Sequence, residues 1–231
     1  MCGRFSLTKP PEAMKAVFGF ENHPNLQARF NIAPSQKVAA IRLDKGGRRI
    51  LSELYWGLIP NWAKDSSMAS RMINARAETV AQKPSFSQSF EQRRCLVPCD
   101  GFYEWRVEGE KKQAFRIGLK GGDLFAFAAI FDRWSVPEDT RYWSKGETIE
   151  TLSIITTTAN RKLRPIHQRM PVILPETTYK TWLDCSSTPA ALGSLLRAFP
   201  DDNMAFYRVG SAVNNVANDS PEVIQQLKNP L

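Results

Sequence analysis

The chain opens Met1, Cys2, Gly3, Arg4, Phe5. A small second residue is what aminopeptidases need to remove an initiator methionine, and removal of Met1 makes Cys2 the N-terminus. An N-terminal cysteine carries a thiol and an α-amine on adjacent carbons, and that amine, with a pKa near about 8, keeps a substantial uncharged fraction at neutral pH. An aldehyde captured by such a pair closes to a five-membered thiazolidine ring, so the chemistry suggested at residue 2 is covalent capture of a carbonyl. Small residues also follow Met1 for no chemical reason, so position 2 alone does not decide.

Three further segments gather reactive or recognition groups. Asn74-Ala75-Arg76-Ala77-Glu78-Thr79 sets an amide, a guanidinium and a carboxylate within six residues. These groups bind phosphates and bases, or else they mark a helix start with Glu78 paired to Arg76. Pro98 to Trp105 sets Asp100 and Glu104 among Phe102, Tyr103 and Trp105. On a strand, residues 100, 102 and 104 share a face, and apolar rings beside Glu104 disfavour its charged form, which suits an acid-base group; the alternative is a strand with an exposed Glu and a buried Trp105. His167-Gln168-Arg169-Met170-Pro171 leads into the apolar Val172-Ile173-Leu174. Only His23 and His167 can supply imidazole chemistry. His23 reads as a surface turn residue, whereas His167 stands beside an arginine at a loop-to-strand junction.

The elements that must position these groups are mostly strands. Apolar spacing predicts a short first helix over Glu12 to Phe20. Strands are expected at Val38 to Leu43, Arg49 to Leu58, Cys95 to Trp105, Phe115 to Leu119, Leu124 to Phe131, Leu152 to Thr158, Pro171 to Leu174 and Ala205 to Val209. Helical patterning recurs at Ser85 to Arg93, Pro175 to Leu183 and Pro189 to Ala198, and Pro137 to Glu150 reads as a polar surface loop. Strands dominate without regular strand-helix alternation. The expectation is therefore an α+β fold: one domain over residues 1–231, with a curled, barrel-like antiparallel β core and peripheral helices.

With 231 residues, 42% hydrophobic, the chain is long enough for one large core. No apolar stretch approaches the ~20 residues of a membrane span and the N-terminus lacks a secretory layout, so a cytoplasmic, membrane-free protein is expected. Four scattered cysteines agree with a reducing compartment. Cys95 and Cys99 are spaced more loosely than common zinc knuckles and have few histidines to join them, so no metal site and no cofactor are expected. A net charge of +8 points to a polyanionic partner, though no run of basic residues locates it. Trp62, flanked by Asn61 and Lys64, is a plausible platform for stacking bases of a single strand, while Trp56 reads as core.

Taken in order, Met1 to Phe5, Arg29-Phe30-Asn31-Ile32-Ala33-Pro34, Trp56 to Pro60, Asn74 to Thr79, Pro98 to Trp105, His167 to Leu174 and Val209 to Asn215 closely resemble the SOS response-associated peptidase (SRAP) family, whose members are abasic-site processing proteins. The resemblance covers about residues 2 to 216. It implies binding of single-stranded DNA, self-removal of Met1, and a covalent link between Cys2 and the ring-opened aldehyde of an abasic site. By the same resemblance, Cys2 is the nucleophile, Asn74 orients the sugar, and Glu104 and His167 move protons. Arg4, Arg76 and Arg169 take phosphates, Trp62 and Trp105 lie near the bases, and Pro34 and Thr156 also face the DNA. The protein is expected to act as a monomer. Relatives often carry two adjacent tryptophans where this chain has Trp62-Ala63. Two other classes remain open at this point: a cysteine peptidase acting on proteins, and a non-covalent single-strand binding module.

Overall fold

A computed structural model of the chain describes residues 2–228. Strands β1 (Phe5–Leu7), β2 (Arg29–Ile32), β3 (Lys37–Leu43), β4 (Arg49–Trp56) and β5 (Asn74–Arg76) fill most of the N-terminal third. They are followed by β6 (Arg94–Cys99), β7 (Gly101–Glu108), β8 (Lys111–Leu119), β9 (Phe125–Ser135) and β10 (Thr148–Thr158). Short strands β11 (Arg169–Pro171), β12 (Ile173–Leu174) and β13 (Met204–Arg208) complete the set. The helices α1 (Pro11–Phe18), α2 (Ser87–Gln92), α3 (Tyr179–Leu183) and α4 (Pro189–Leu195) are all short.

The strands β10, β4, β3, β6 and β9 pair in sequence, and β9 pairs back onto β10, which closes a five-stranded barrel. Closure removes the sheet edges that would otherwise need covering. The expected α+β architecture with a barrel core is thus observed. One seam differs from the antiparallel expectation, because β10 runs parallel to both β4 and β5. β6 is buried along its whole length and β9 along nearly all of it, which explains why their sequences read as unbroken apolar runs rather than alternating ones. β13, β8, β7, β1 and β2 form the second sheet.

The expected strand over Cys95 to Trp105 is two strands in different sheets, and Asp100 is where the chain passes from one to the other. Its carboxylate accepts from the Ser6 hydroxyl at 2.6 Å, the Thr8 amide at 2.7 Å and Arg116 at 2.9 Å. Asp100 is therefore a structural partner of the N-terminal strand and not a second acid beside Glu104. A Cβ at the next residue, Gly101, would lie 2.6 Å from Arg116 Cζ, so any larger residue there has to displace the guanidinium that Asp100 holds.

A second structural hub is Arg94, buried at the start of β6. Its guanidinium donates to the carbonyls of Phe90, Glu91, Trp182 and Asp184, and so ties the ends of α2 and α3 to the barrel. Cys95 and Cys99 are buried in the same strand, where loss of water pushes the Cys95 thiol up to about 12. The helix expected from Pro175 is a 3₁₀ turn over Glu176–Thr178 that runs into α3. Among the described residues no helix is long and apolar enough to cross a membrane.

Candidate functional site

The N-terminal segment enters the second sheet at β1, where Phe5 pairs with Phe102 of β7 and with Ile32 of β2. The Tyr103 amide donates to the Arg4 carbonyl at 2.9 Å, which extends this grip towards Cys2. Cys2 itself has no exposed surface. Burial pushes its thiol well above the ordinary cysteine range, and the nearby Glu104 charge pushes it further. In this setting the thiol is neutral, and it needs a proton acceptor before it can act as a thiolate.

Asn74 donates from Nδ2 to the Cys2 carbonyl at 2.8 Å. Asn74 to Arg76 form strand β5, paired in parallel with Ile154 to Thr156, and not a helix start. Strand geometry sends the side chains of residues 74 and 76 to one face and the fully buried Ala75 to the other. Asn74 is thus held against residue 2 while Arg76 beside it is exposed.

Glu104, in the middle of β7, is 4% exposed. Burial raises its carboxyl above the ordinary carboxylate value, with the His167 charge opposing the shift. His167 Nδ1 stands 4.0 Å from Glu104 Oε1 and 3.0 Å from both the amide nitrogen and the carbonyl oxygen of Arg169. Contact of Nδ1 with the Arg169 backbone therefore holds the ring beside the buried carboxyl. Four groups expected to act together (the residue-2 thiol, the Asn74 amide, the Glu104 carboxyl and the His167 imidazole) converge at the junction of the barrel and the second sheet.

The residues expected along the DNA divide into two sets. Trp62 is 57% exposed, yet both its neighbours are pinned: the Asn61 amide to Asp132 at 3.1 Å, the Ala63 carbonyl to Trp134 at 2.8 Å. A fixed loop that displays a tryptophan suits stacking. Arg76 and Asn74 line a groove of about 660 Å³ with Arg71, Lys83, Met68 and Phe86, and the two extra cations there were not singled out from the sequence. Pro34 is half-buried beside Ser35, whose φ is 69°.

The second set is engaged within the protein. Arg169 forms a two-point ion pair with Glu78, at 2.6 and 2.9 Å, so Glu78 does not pair with Arg76. Arg4 donates to Asn31 Oδ1 at 2.8 Å and to the Val213 carbonyl at 2.6 Å. Trp105 occupies the opposite face of β7 from Glu104, donates to Asn214 Oδ1 at 2.8 Å and lies under the Arg4 guanidinium. Thr156, expected to face DNA, is completely buried; its carbonyl accepts from Arg169, so in this structure it supports that arginine from behind. Asn31 explains two of the sequence segments at once. Its amide nitrogen donates to the carbonyls of Val213, Asn215 and Asn218, which fastens the late Val209 to Asn215 segment onto β2.

The model for "SOS response associated peptidase (SRAP)" matches residues 1–216, and the chain belongs to that family. Its relatives include the abasic site processing protein YoqW of Bacillus subtilis strain 168, 42% identical over 97% of this chain and 99% of its own. Abasic site processing protein YedK of Escherichia coli strain K12 is 30% identical over 97% of this chain and 99% of its own. A solved protein structure from Bacteroides thetaiotaomicron superposes with a TM-score of 0.87 at 29% identity, covering 98% of this chain and all of the other.

Proposed function

We propose that this protein processes abasic sites in single-stranded DNA by joining Cys2 covalently to the lesion after Met1 is removed. The observation that carries the reading is the 2.8 Å hydrogen bond from Asn74 to the Cys2 carbonyl, which holds residue 2 beside Glu104 and His167 at the head of a basic groove. The removal of Met1 concerns a residue outside those described.

The chemistry follows from the groups. An abasic sugar is a hemiacetal in equilibrium with its open aldehyde, and protonation of the ring oxygen by His167 speeds opening. The Cys2 α-amine adds to the aldehyde carbon and the carbinolamine loses one water to give an imine. The thiol then adds across the carbon-nitrogen double bond, its proton passing to nitrogen through Glu104, and the ring closes as a thiazolidine. A carboxyl raised above its ordinary pKa exchanges protons more readily near neutral pH than an ordinary one. The stable ring shields the lesion from strand scission.

Incubation with an abasic single strand, followed by denaturing electrophoresis, tests the reading. A shifted band is expected with the abasic strand and none with its tetrahydrofuran analogue, which has no aldehyde. Absence of the band from the natural lesion, or its presence with the analogue, contradicts carbonyl capture.

A further inference from the structure

Most arginines of this protein have a partner. Arg29, Arg42, Arg93, Arg106, Arg116, Arg133, Arg161, Arg169 and Arg208 face carboxylates, and Arg4, Arg49 and Arg94 donate to carbonyls. Arg48 pairs with Asp44, and Arg141 lies over Tyr142. Among the described residues, the arginines with no side-chain hydrogen bond, ion pair or ring contact are Arg71, Arg76, Arg164 and Arg197, and of these Arg76 still feels the Glu78 charge. They are not scattered. Arg71 and Arg76 share the groove beside Asn74, whereas Arg164 and Arg197 share a separate groove of about 570 Å³ at the far end of β10.

This second, shallow groove is lined by Thr157, Thr158 and Ala159 and by Leu196 to Pro200. Its one acidic lining residue, Asp201, is already engaged by Arg161 at 3.2 Å, so the two exposed guanidinia meet no opposing charge there. The groove is also tied to the first site. The turn joining β10 to β11 presents Arg164 and ends at His167, whose amide donates to Leu163 at 3.0 Å, and Thr158 pairs with Arg169. Asn160 ties this turn down by donating to the Phe199 carbonyl and accepting from the Leu163 amide. Two guanidinia left unpaired on one open, shallow surface, Arg164 among them on a turn whose other end carries an acid-base group, suit phosphodiester oxygens of a strand that continues past the lesion.

We propose that Arg164 and Arg197 bind backbone phosphates of the DNA flanking the abasic site, beyond the groove that holds the lesion. The proposal rests on the reading of this protein as one that acts on abasic DNA. It assigns the two arginines to strand length and salt dependence, not to chemistry.

The test compares the native protein with Arg164→Ala/Arg197→Ala on long and short single strands carrying the tetrahydrofuran analogue, by fluorescence anisotropy across salt. Each lost phosphate contact removes about 0.7 from the slope of log affinity against log salt on a single strand, so the double variant should lose about 1.4 on the long strand. Between about 50 and about 200 mM salt, that makes the loss of affinity roughly sevenfold smaller than for the native protein. Binding to a strand of only a few nucleotides centred on the analogue should be unchanged, as should the rate of covalent capture of a short abasic strand. Arg164→Lys/Arg197→Lys should keep the native slope. An unchanged slope in the alanine variant overturns the proposal, as does an equal loss on long and short strands, which would put the arginines at the lesion itself. If the native protein binds the long strand with the expected slope but captures no abasic strand, the groove stands and the covalent reading falls.

Discussion

Replacing Asn74 by alanine removes the side-chain hydrogen bond that it donates to the Cys2 carbonyl. A neutral hydrogen bond is worth about 0.5–1.5 kcal/mol net, and a carbonyl left unsatisfied in a buried setting costs about 1–3 kcal/mol. If residue 2 must sit where Asn74 holds it for its amine to reach the sugar, about 1–3 kcal/mol moves from positioning into the barrier, a slowing of about 5- to 150-fold. The assay is the first-order rate of covalent attachment at saturating abasic single strand, read on denaturing gels. Affinity for the tetrahydrofuran analogue, measured alongside, should change little, since the phosphate-binding arginines are untouched. Asn74→Asp should be at least as slow as Asn74→Ala, because a carboxylate cannot donate to a carbonyl and sets a negative charge against it. An alanine variant that attaches within twofold of the native rate would refute the positioning argument.

Other substitutions separate the remaining roles. Cys2→Ser keeps a small residue after Met1 and an α-amine after its removal, so it should give little spontaneous SDS-resistant product but a link that borohydride traps from the imine; a heat-stable adduct formed at the native rate would show the thiol to be dispensable. Because burial raises the Glu104 carboxyl, the folded protein binds its proton more tightly than the unfolded chain, and the stability tied to it is present at low pH and falls as pH rises above the ordinary carboxylate range. Glu104→Gln should therefore gain stability relative to the native protein between about pH 4 and neutrality, and equal gains at both ends in urea melts would contradict a raised carboxyl. Arg94→Ala strands the carbonyls of two helix ends around a lost buried charge and should cost about 3–5 kcal/mol in urea denaturation, whereas a loss below 1 kcal/mol would remove Arg94 as the hub.

The barrel was legible where hydrophobicity decides structure. β9 and β10 carry apolar and β-branched runs that can only be buried strands, and the polar stretch between them had to be a loop. β5 was not legible, since three residues, Asn-Ala-Arg, have no strand pattern of their own. They are extended because Ile154 to Thr156, far along the chain, pairs with them. The sequence marked Glu104 for acid-base work but assigned Asp100 no role, and only the arrival of Ser6, Thr8 and Arg116 at Asp100 makes it structural. Of the candidate site, the types of Cys2, Asn74, Glu104 and His167 could be read from the residues together with the resemblance. The pairing of Glu78 with Arg169 instead of Arg76, and the burial of Thr156, depend on contacts between distant segments that no local spacing encodes. Arg164 and Arg197 escaped for the same reason: the basic residues are spread evenly along the chain, and only the turn after β10 brings these two to one groove.

In the proposed reaction residue 2 captures the lesion through both its amine and its thiol. Intact-mass analysis of the product formed with an abasic single strand, heated without borohydride and then mapped by proteolysis, tests it most directly. The expected mass is that of the chain lacking Met1 plus the oligonucleotide, less one water, with the nucleotide on the Cys2 peptide and its thiol no longer alkylatable. A heat-stable product that retains Met1, or one that leaves the Cys2 thiol free, would contradict it.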